Sequence, residues 1–420
     1  MADVQPLHAL HYEPARTGGL DPVLAPPYDV IGPEDRAALR ARSEHNVVEI
    51  DLPEDPEGGD PYAHAAAVLR TWTGGGVVTR DESPAVWVLE QDYTGPDGRA
   101  ARRRGFLARI RVEEYGAGRV RPHERTHPGP KEDRLRLTRA TRANLSPIFA
   151  LYDDPRQAAW GALAAHVDVE PWGEARDGDG TTHRVWRVGD PAALEAVREA
   201  LAPSELLIAD GHHRYETARV YAEEIGGEGP HRYVLACLVA LQDPGLTVFP
   251  THRLATGLDA SRRAALDAAL ERDWVAEDVT PEALDDLTPA DPVRLGFYDG
   301  RRAQILTLRD PSLADAALPG RADAYRRLDT AVLEALVLTG PLGLSEDDIS
   351  HLHGLAYART GADARAQVDS GAADAAFFMA PTPVGHIRDV AAAGEVMPPK
   401  STYFFPKVPT GVVFNPLGDD

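Results

Sequence analysis

Five consecutive residues carry groups suited to binding an anion: Asp210, Gly211, His212, His213 and Arg214. They lie between an apolar run, ELLIAD, and a segment with helical periodicity, YETARVYAEEIG. A strand that ends in Asp-Gly and passes at once into a helix presents backbone N–H groups at the helix N-terminus, which attracts negative charge. The two histidines and the arginine are all hydrogen-bond donors, and arginine can bind phosphate through two parallel hydrogen bonds. The pattern predicts a phosphate-binding turn.

Two other interpretations of this turn stay open. Zinc ligands are usually spaced by two to five residues, so adjacent histidines rarely contact one ion. A hard cation such as Mg²⁺ could instead be bound by Asp210, with substrate phosphates completing its coordination shell. Asp210 could also be only the N-cap of a helix, with His212 and His213 exposed.

A second candidate lies in RPHERTHPGPKEDRLRL, residues 121–137. Glu124 is a candidate general base, and His123 stands beside it. The helix predicted behind this loop contributes Lys131, although some of its cations must pair with Glu132 and Asp133 or face solvent. The alternative is that the loop is merely charged and solvated.

A third candidate is the segment GEVMPPKSTYFFPKVPTGVVFNPL near the C-terminus. An aromatic strand is expected there, and the residues before and after it include side chains that can bind phosphate or carboxylate: Lys400, Ser401, Thr402 and Lys407. The alternative is a terminal strand with exposed lysines. The stretch LAPPYDV, which contains Tyr28, could equally be a turn or a ligand-binding loop. The sequence contains no Walker-type loop, Rossmann fingerprint or G-x-S-x-G elbow.

Composition narrows the class of protein. The 420 residues carry a net charge of −22, from 44 basic and 66 acidic side chains, which disfavours non-specific nucleic-acid binding. Arginines concentrate within residues 102–142, and a basic island in an acidic chain indicates an anionic ligand. The single cysteine, Cys237, lies in an apolar run and is expected to be an inert buried thiol. Without a long apolar run or a signal-peptide pattern, we expect a soluble, cytoplasmic protein.

Hydrophobic patterns predict the elements that must position these residues. Helices are indicated from Pro33, over DPYAHAAAVLRTWTGGG and over residues 131–144, and a hairpin turns at TGPDGR. ELLIAD and RYVLACLVAL are typical of buried strands. Beyond about residue 255, helices and strands alternate. We therefore predict an α+β protein with an N-terminal domain over residues 1–255 and a mixed α/β C-terminal domain over residues 256–420.

The longer motifs resemble a known family. PPYDVI, PHERTHPGPKEDRLRLTRATRANLSPIFALY, ADGHHRYETA, DPGLTVFPTHRL and AGEVMPPKSTYFFPKVPTGVVFNPL together resemble a bacterial domain of unknown function, number 1015. The resemblance runs nearly end to end, and the family's name implies no activity. Within it, PHE, a helix, a PI-containing strand and I-x-DGHHRY are similar to the ParB/sulfiredoxin-like superfamily, in particular to archaeal free serine kinase.

This second resemblance implies a ParB/sulfiredoxin-like fold for residues 1–255, with an insertion over about residues 153–203. It implies that Glu124 is the base acting on a substrate hydroxyl and that the DGHHR turn binds phosphate and metal. The site expected on these grounds comprises catalytic Glu124, Asp210 and His123, metal-binding Asp210, and phosphate-binding Gly211, His212, His213, Arg214, Lys131 and Lys400.

The leading hypothesis is a serine kinase-like phosphotransferase that forms O-phosphoserine from free L-serine, or phosphorylates a similar hydroxylated metabolite. Mg²⁺ is the expected cofactor, and ATP, ADP or pyrophosphate the expected donor. Membrane and DNA are not expected partners, and a homodimer is left open. The alternatives are a nucleotide-binding ParB-like regulator, and a phosphatase or nucleotide hydrolase that uses water as the acceptor.

Overall fold

The computed structural model describes residues 2–115, 118–124 and 128–418. Its strands are β1 (Val4–Gln5), β2 (Leu10–Tyr12), β3 (Val78–Arg80), β4 (Val86–Thr94), β5 (Ala100–Arg111), β6 (Val120–Arg121), β7 (Ala143–Asn144), β8 (Ile148–Tyr152), β9 (Gly173–Arg176), β10 (Thr182–Val188), β11 (Leu206–Asp210), β12 (Tyr233–Ala240), β13 (Thr247–Phe249), β14 (His252–Ala255), β15 (Trp274–Asp278), β16 (Arg294–Tyr298), β17 (Ala303–Leu308), β18 (Leu355–Ala358), β19 (Ala375–Phe378), β20 (Tyr403–Phe405) and β21 (Asn415–Pro416).

The α-helices are α1 (Pro14–Thr17), α2 (Pro33–Arg42), α3 (Val48–Asp51), α4 (Pro61–Gly74), α5 (Pro128–Thr141), α6 (Ala158–Ala164), α7 (Pro191–Leu201), α8 (His212–Ile225), α9 (Ala260–Asp273), α10 (Ser312–Ala317), α11 (Asp323–Arg326), α12 (Asp329–Leu333), α13 (Glu346–His351), α14 (Gly361–Asp369) and α15 (Val384–Ala392). Single 3₁₀ turns cover Tyr28–Val30, Pro230–Arg232 and Pro281–Asp286, and a π-helical turn, Glu334–Leu338, continues α12.

The chain divides into two compact units that interleave in sequence. Unit 1 comprises the described residues of Met1–Pro122, Thr126–Leu246 and Pro406–Asp420. Unit 2 comprises those of His123–Arg125 and Thr247–Phe405. The end of the chain therefore belongs to unit 1, whereas a division at residue 255 assigns it to a C-terminal domain. That division stays a prediction about domains.

Within the described residues, nine strands of unit 1 form one mixed sheet in the order β6-β11-β8-β12-β5-β4-β10-β9, with β1 paired to β5. Strand β8 lies between β11, which is antiparallel to it, and β12, which is parallel. Phe106, Ile148, Ile208 and Leu238 from four of these strands are almost fully buried in one hydrophobic cluster. The sheet holds the C-terminal end of β11, where Asp210 is located, in a fixed position.

The predicted insertion, residues 153–203, is an integral part of unit 1. It contributes α6, β9, β10 and α7, and β10 pairs with β4 from Thr182–Asp92 to Val188–Val86. Val197 of α7 belongs to the same buried cluster as the central strands. Within this segment, β9 and β10 therefore extend the sheet, and α7 packs against it.

The C-terminal segment returns to unit 1 by backbone pairing. β21 pairs with β7, with Asn415 opposite Asn144, and Thr410 forms an isolated bridge with Ala25. Phe414 between them is fully buried. These contacts fix the short stretch that carries Lys407.

Among the described residues, unit 2 contains a six-stranded antiparallel sheet in the order β15-β17-β16-β19-β14-β18, and a ribbon of β13 with β20. Trp274, Leu295, Phe297 and Phe377 are almost fully buried in the cluster on one face of the six-stranded sheet.

The mixed α+β class predicted from the sequence is confirmed, while the ParB/sulfiredoxin-like layout stays a prediction. Burial raises the pKa of the Cys237 thiol to about 12, which agrees with an inert thiol. The helix expected over residues 131–144 spans Pro128–Thr141. In the described part of the chain, no helix combines the length and apolar character needed to cross a membrane.

The tight packing of β5 on β12 can be tested at Gly105. A Cβ there would lie 2.6 Å from Val239 Cγ2 and 2.7 Å from the Leu238 carbonyl oxygen. Gly105→Ala is expected to lower the free energy of unfolding by about 1–3 kcal/mol because the backbone must move. The control is Gly161→Ala in α6, where nothing lies within 4 Å. It should raise stability by about 0.5–1 kcal/mol. Urea denaturation measures both, and equal effects would contradict the packing argument.

Candidate functional site

The turn between β11 and α8 is tight and depends on glycine. Gly211 has a φ of 89° and is the N-cap of α8, which begins at His212. A Cβ at Gly211 would lie 3.1 Å from the Ile148 Cα and from the Arg214 guanidinium carbon. Because the left-handed conformation and the close approach both exclude a side chain, glycine lets the helix start one residue after Asp210.

Asp210 is held between two cations. Its Oδ1 accepts from Lys407 Nζ at 2.7 Å, and its Oδ2 accepts from Arg214 NH2 at 2.7 Å. Burial by itself would raise the pKa of this carboxyl, but Lys407 and Arg214 outweigh it and hold the pKa well below its usual range. The carboxylate is therefore ionised at any physiological pH.

Arg214 is bound mainly by the protein itself. Its side chain is only 8% exposed, and its NH1 donates to the Pro147 carbonyl oxygen while NH2 donates to Asp210. The guanidinium carbon lies 6.0 Å from the ring centroid of Tyr28. This arrangement fits a residue that fixes Asp210 in place. A direct contact from Arg214 to phosphate stays a prediction.

A second ion pair, between Arg134 and Asp51, lies beside Tyr28. The Arg134 guanidinium lies 4.1 Å from the Tyr28 ring centroid, and its NH1 donates to the Asp51 backbone oxygen at 2.5 Å. Ser146 Oγ donates to Asp51 Oδ2 at 2.6 Å and lies 3.0 Å from Thr410 Oγ1. Burial raises the pKa of the Tyr28 phenol, against the opposing charges of Arg214 and Arg134. Tyr28 thus stays neutral and links the two arginines.

Arg103 is a buried cation near the same turn. It is 1% exposed, stacks 4.6 Å from the Phe149 ring centroid and donates through Nε and NH2 to Gln91 Oε1. Within the described chain, its NH1 has no hydrogen-bond partner. Burial lowers the pKa of Arg103, and the charge of Asp210 is among the influences that oppose this shift. Gln91 also donates to the Lys407 carbonyl oxygen at 3.0 Å, so it connects Arg103 to the segment bearing Lys407.

Other predicted phosphate ligands also lie in unit 1. His212 is buried and His213 half-buried, and each makes an interaction within the protein. Lys131 is half-buried in α5, and its backbone oxygen accepts from Thr217 Oγ1 at 3.5 Å. The structure therefore brings Asp210, the first turn of α8 and α5 into one unit.

The remaining predicted residues belong to unit 2. His123 is fully buried, with Nε2 2.9 Å from Thr402 Oγ1, and its backbone oxygen accepts from Met397 N. The Glu124 side chain is about one third exposed, and its Oε1 lies 4.0 Å from His123 Nε2. Lys400 is exposed and has a left-handed φ of 58°. His123 is therefore packed against the segment of unit 2 that contains Met397 and Thr402. The catalytic roles of His123 and Glu124 stay predictions.

Two cations near the turn were not among the predicted site residues. The sequence places Lys407 only in a basic, aromatic segment, because no local pattern indicates that this segment returns to β11. For Arg103, the sequence itself contains a pattern that indicates a buried cation. In the strand AARRRGF, alternation places it on the face opposite Arg102 and Arg104, and a lone inward arginine is unusual.

The Mg²⁺ predicted at Asp210 would share its ligand with two cations. Each carboxylate oxygen already accepts a hydrogen bond from Lys407 or Arg214 at 2.7 Å, so a bound metal ion would face the repulsion of two neighbouring positive charges. Over the described residues, no group of three or more His, Cys, Asp or Glu side chains is placed to hold a metal ion. Magnesium at Asp210 stays a prediction, and no step proposed below passes through it.

The fold and the turn define a mixed α+β protein with a charged cluster at a strand–helix junction. A family model described as "Protein of unknown function (DUF1015)" matches residues 4–331. The chain therefore belongs to the DUF1015 family, as the sequence motifs predicted. No curated protein matches the chain.

Several solved structures match over much of their length. A mutant free serine kinase in complex with ADP is 13% identical, with a TM-score of 0.37, covering 70% of this chain and 89% of that one. A conserved hypothetical protein from Pyrococcus furiosus is 15% identical, with a TM-score of 0.36 and coverages of 70% and 91%. C-terminally truncated SbnI from Staphylococcus aureus is 13% identical, with a TM-score of 0.37 and coverages of 73% and 85%. Since such TM-scores do not establish a shared fold, nothing about ligands or reactions carries over from these structures.

The ion pairs of Asp210 give a pH-dependent prediction. Asp210→Asn leaves Lys407 and Arg214 without a carboxylate and should cost about 3 kcal/mol at pH 7. Because the pKa of the folded carboxyl lies below the unfolded value of about 3.9, ionised Asp210 stabilises the fold above about pH 4 and progressively less below it. The stability difference from the wild type should therefore shrink as the pH falls below about 4.

Chemical denaturation between pH 3 and 7 measures this difference. The control is Glu195→Gln, which removes a carboxylate paired with Arg198 on the surface of α7 and should leave stability unchanged. A difference that stays constant or grows in acid would show that Asp210 contributes by something other than its charge.

Proposed function

We propose that the protein is a phosphotransferase that transfers a phosphoryl group to the hydroxyl of a small metabolite, with free L-serine the first acceptor to test. ATP, ADP or pyrophosphate is the proposed donor. The observation that carries the proposal is the cluster at the N-terminus of α8, in which Asp210 is fixed by Lys407 and Arg214.

The charge balance of this cluster favours an anion. Lys407, Arg214 and Arg103 bring three positive charges to the surroundings of Asp210, and the charge of a second carboxylate, Asp29, also acts on Arg214, so a net positive charge remains. Arg134 adds little, because Asp51 neutralises it. A net positive charge in a partly buried place is worth more than the same charge in water, since the surrounding dielectric constant is lower.

The start of α8 supplies directed hydrogen-bond donors. The first-turn N–H groups of a helix are not used by the helix itself, and its dipole places partial positive charge at this end. Gly211 lets the backbone approach a ligand closely because it has no side chain. These are the features by which helix N-termini bind phosphate in other folds.

In the proposed reaction, the acceptor hydroxyl oxygen attacks the terminal phosphorus of the donor and a new P–O bond forms. The bond to the bridging oxygen breaks, and the leaving nucleotide or phosphate takes its electron pair. Donors fixed beforehand at the phosphoryl oxygens lower the barrier because they need no rearrangement as charge develops. The hydroxyl proton passes to a base, for which we propose Glu124. This role is supported by the sequence resemblance alone.

The proposal is tested by incubating the purified protein with L-serine and each donor, with and without added Mg²⁺, and measuring O-phosphoserine by mass spectrometry. Product is expected with at least one donor. Lys407→Ala should lower kcat/KM by about 10²-fold, because one donor to developing charge is lost, and Lys407→Arg should restore part of it. Glu124→Gln should lower kcat with little change in KM.

Two variants serve as controls: Glu114→Gln for Glu124, and Arg198→Ala for Lys407. Both original side chains lie outside the cluster, and Glu114 is exposed. Absence of product with every donor would refute the serine kinase. Donor consumption without phosphoserine would identify a hydrolase, and retention on DNA at physiological salt would favour the ParB-like regulator.

A further inference from the structure

Unit 2 contains a cavity of about 250 Å³ that no part of the proposed function uses. It lies where the start of α12 meets the first residue of β16 and the connection from β19 to α15. This volume is below the roughly 300–1,000 Å³ of sites for drug-sized ligands, so it suits a metabolite of few atoms.

The carboxylate of Asp329 forms part of the cavity wall. Asp329 Oδ1 accepts from the Thr330 backbone N–H at 2.7 Å, and Oδ2 accepts from the Ala380 N–H at 3.0 Å. Within the described chain, no cation is close enough to form an ion pair with it. Burial raises the pKa of Asp329 to about 6, although the field of Arg253 opposes this. The carboxylate is therefore mostly ionised at pH 7, and each oxygen can accept a further hydrogen bond.

An opposite charge lines the same cavity. Arg294, the first residue of β16, is exposed, and its side chain forms no ion pair or hydrogen bond within the described residues. The other lining arginine, Arg327, is paired with Asp291. Burial lowers the pKa of His386, so this lining histidine is neutral at pH 7. The charges of the cavity wall that form no ion pair within the described residues are thus one guanidinium, Arg294, and one carboxylate, Asp329, on which the buried Arg253 acts from outside the lining.

The rest of the lining is largely apolar and rigid. Val293, Leu328 and Ala380 are buried, and Pro289, Pro381 and Pro383 complete the wall. Prolines and short aliphatic side chains lose little conformational entropy when a ligand is bound. They provide contact for a small hydrocarbon group but no hydrogen bonds to a polar one.

We propose that this cavity binds a free α-amino acid with a small apolar side chain. The ammonium group donates to Asp329, the carboxylate pairs with Arg294, and the side chain lies against the apolar wall. A zwitterion compensates both unpaired charges at once, whereas an amine or an acid alone compensates only one. The cavity shares no residue with the DGHHR turn, so the proposal is independent of the phosphotransferase activity.

Calorimetric titration of the full chain at pH 7 tests the proposal with L-valine as the probe. The amine-only and acid-only counterparts are isobutylamine and isovalerate. L-Valine should bind saturably, and each counterpart should bind at least 10-fold more weakly. Asp329→Asn and Arg294→Gln should each weaken L-valine binding at least 10-fold. The controls Asp286→Asn and Arg301→Gln change exposed residues outside the cavity and should leave affinity unchanged.

Several outcomes would overturn the proposal. These are the absence of saturable L-valine binding, equal affinity for isobutylamine, or unchanged affinity in Arg294→Gln. The Arg294 side chain is exposed and forms no ion pair within the described residues, so Arg294→Gln is expected to fold and keeps the test valid if Asp329→Asn is unstable. Thermal unfolding of each variant establishes that it is folded before titration.

Discussion

The unit that carries the DGHHR turn depends on one carboxylate placed between two cations. Asp210 ends a central strand, and Lys407 and Arg214 reach it from the C-terminal segment and from α8. Leaving either cation without its carboxylate would expose the fold to the full desolvation cost of a buried charge. The strand, the helix and the end of the chain are therefore coupled through a single side chain, and the coupling places the first turn of α8.

This coupling changes the meaning of the DGHHR motif. Read as a sequence, its arginine and histidines are all donors available to a ligand. In the folded chain, Arg214 is nearly buried and donates to Asp210 and to the Pro147 carbonyl oxygen. The net positive charge on which the proposed anion site relies comes from the whole cluster, including Arg103 of β5 in the same sheet. An electrostatic site built in this way is rigid, and rigidity is what phosphoryl transfer requires of its donors.

Two carboxylates of the protein illustrate opposite solutions to burial. Asp210 is compensated by two cations and has a strongly lowered pKa, whereas Asp329 is compensated by backbone N–H groups and has a raised one. The first arrangement stabilises the fold at neutral pH. The second forms no ion pair within the described residues and lies on a cavity wall, and the amino-acid site proposed for unit 2 is based on these two features.

The sequence by itself determined the elements and the local chemistry. Alternating and helical periodicity predicted β11 and α8, and Asp-Gly before a helix predicted the tight turn, because these patterns depend on neighbouring residues. Only the tertiary structure decided that Lys407, 197 residues from Asp210, would reach the same carboxylate. It also decided that Arg103 would be buried and that Asp329 would line a cavity. Such contacts depend on sheet order and chain return, which no local pattern encodes, since residues far apart in sequence meet only when the whole core is packed.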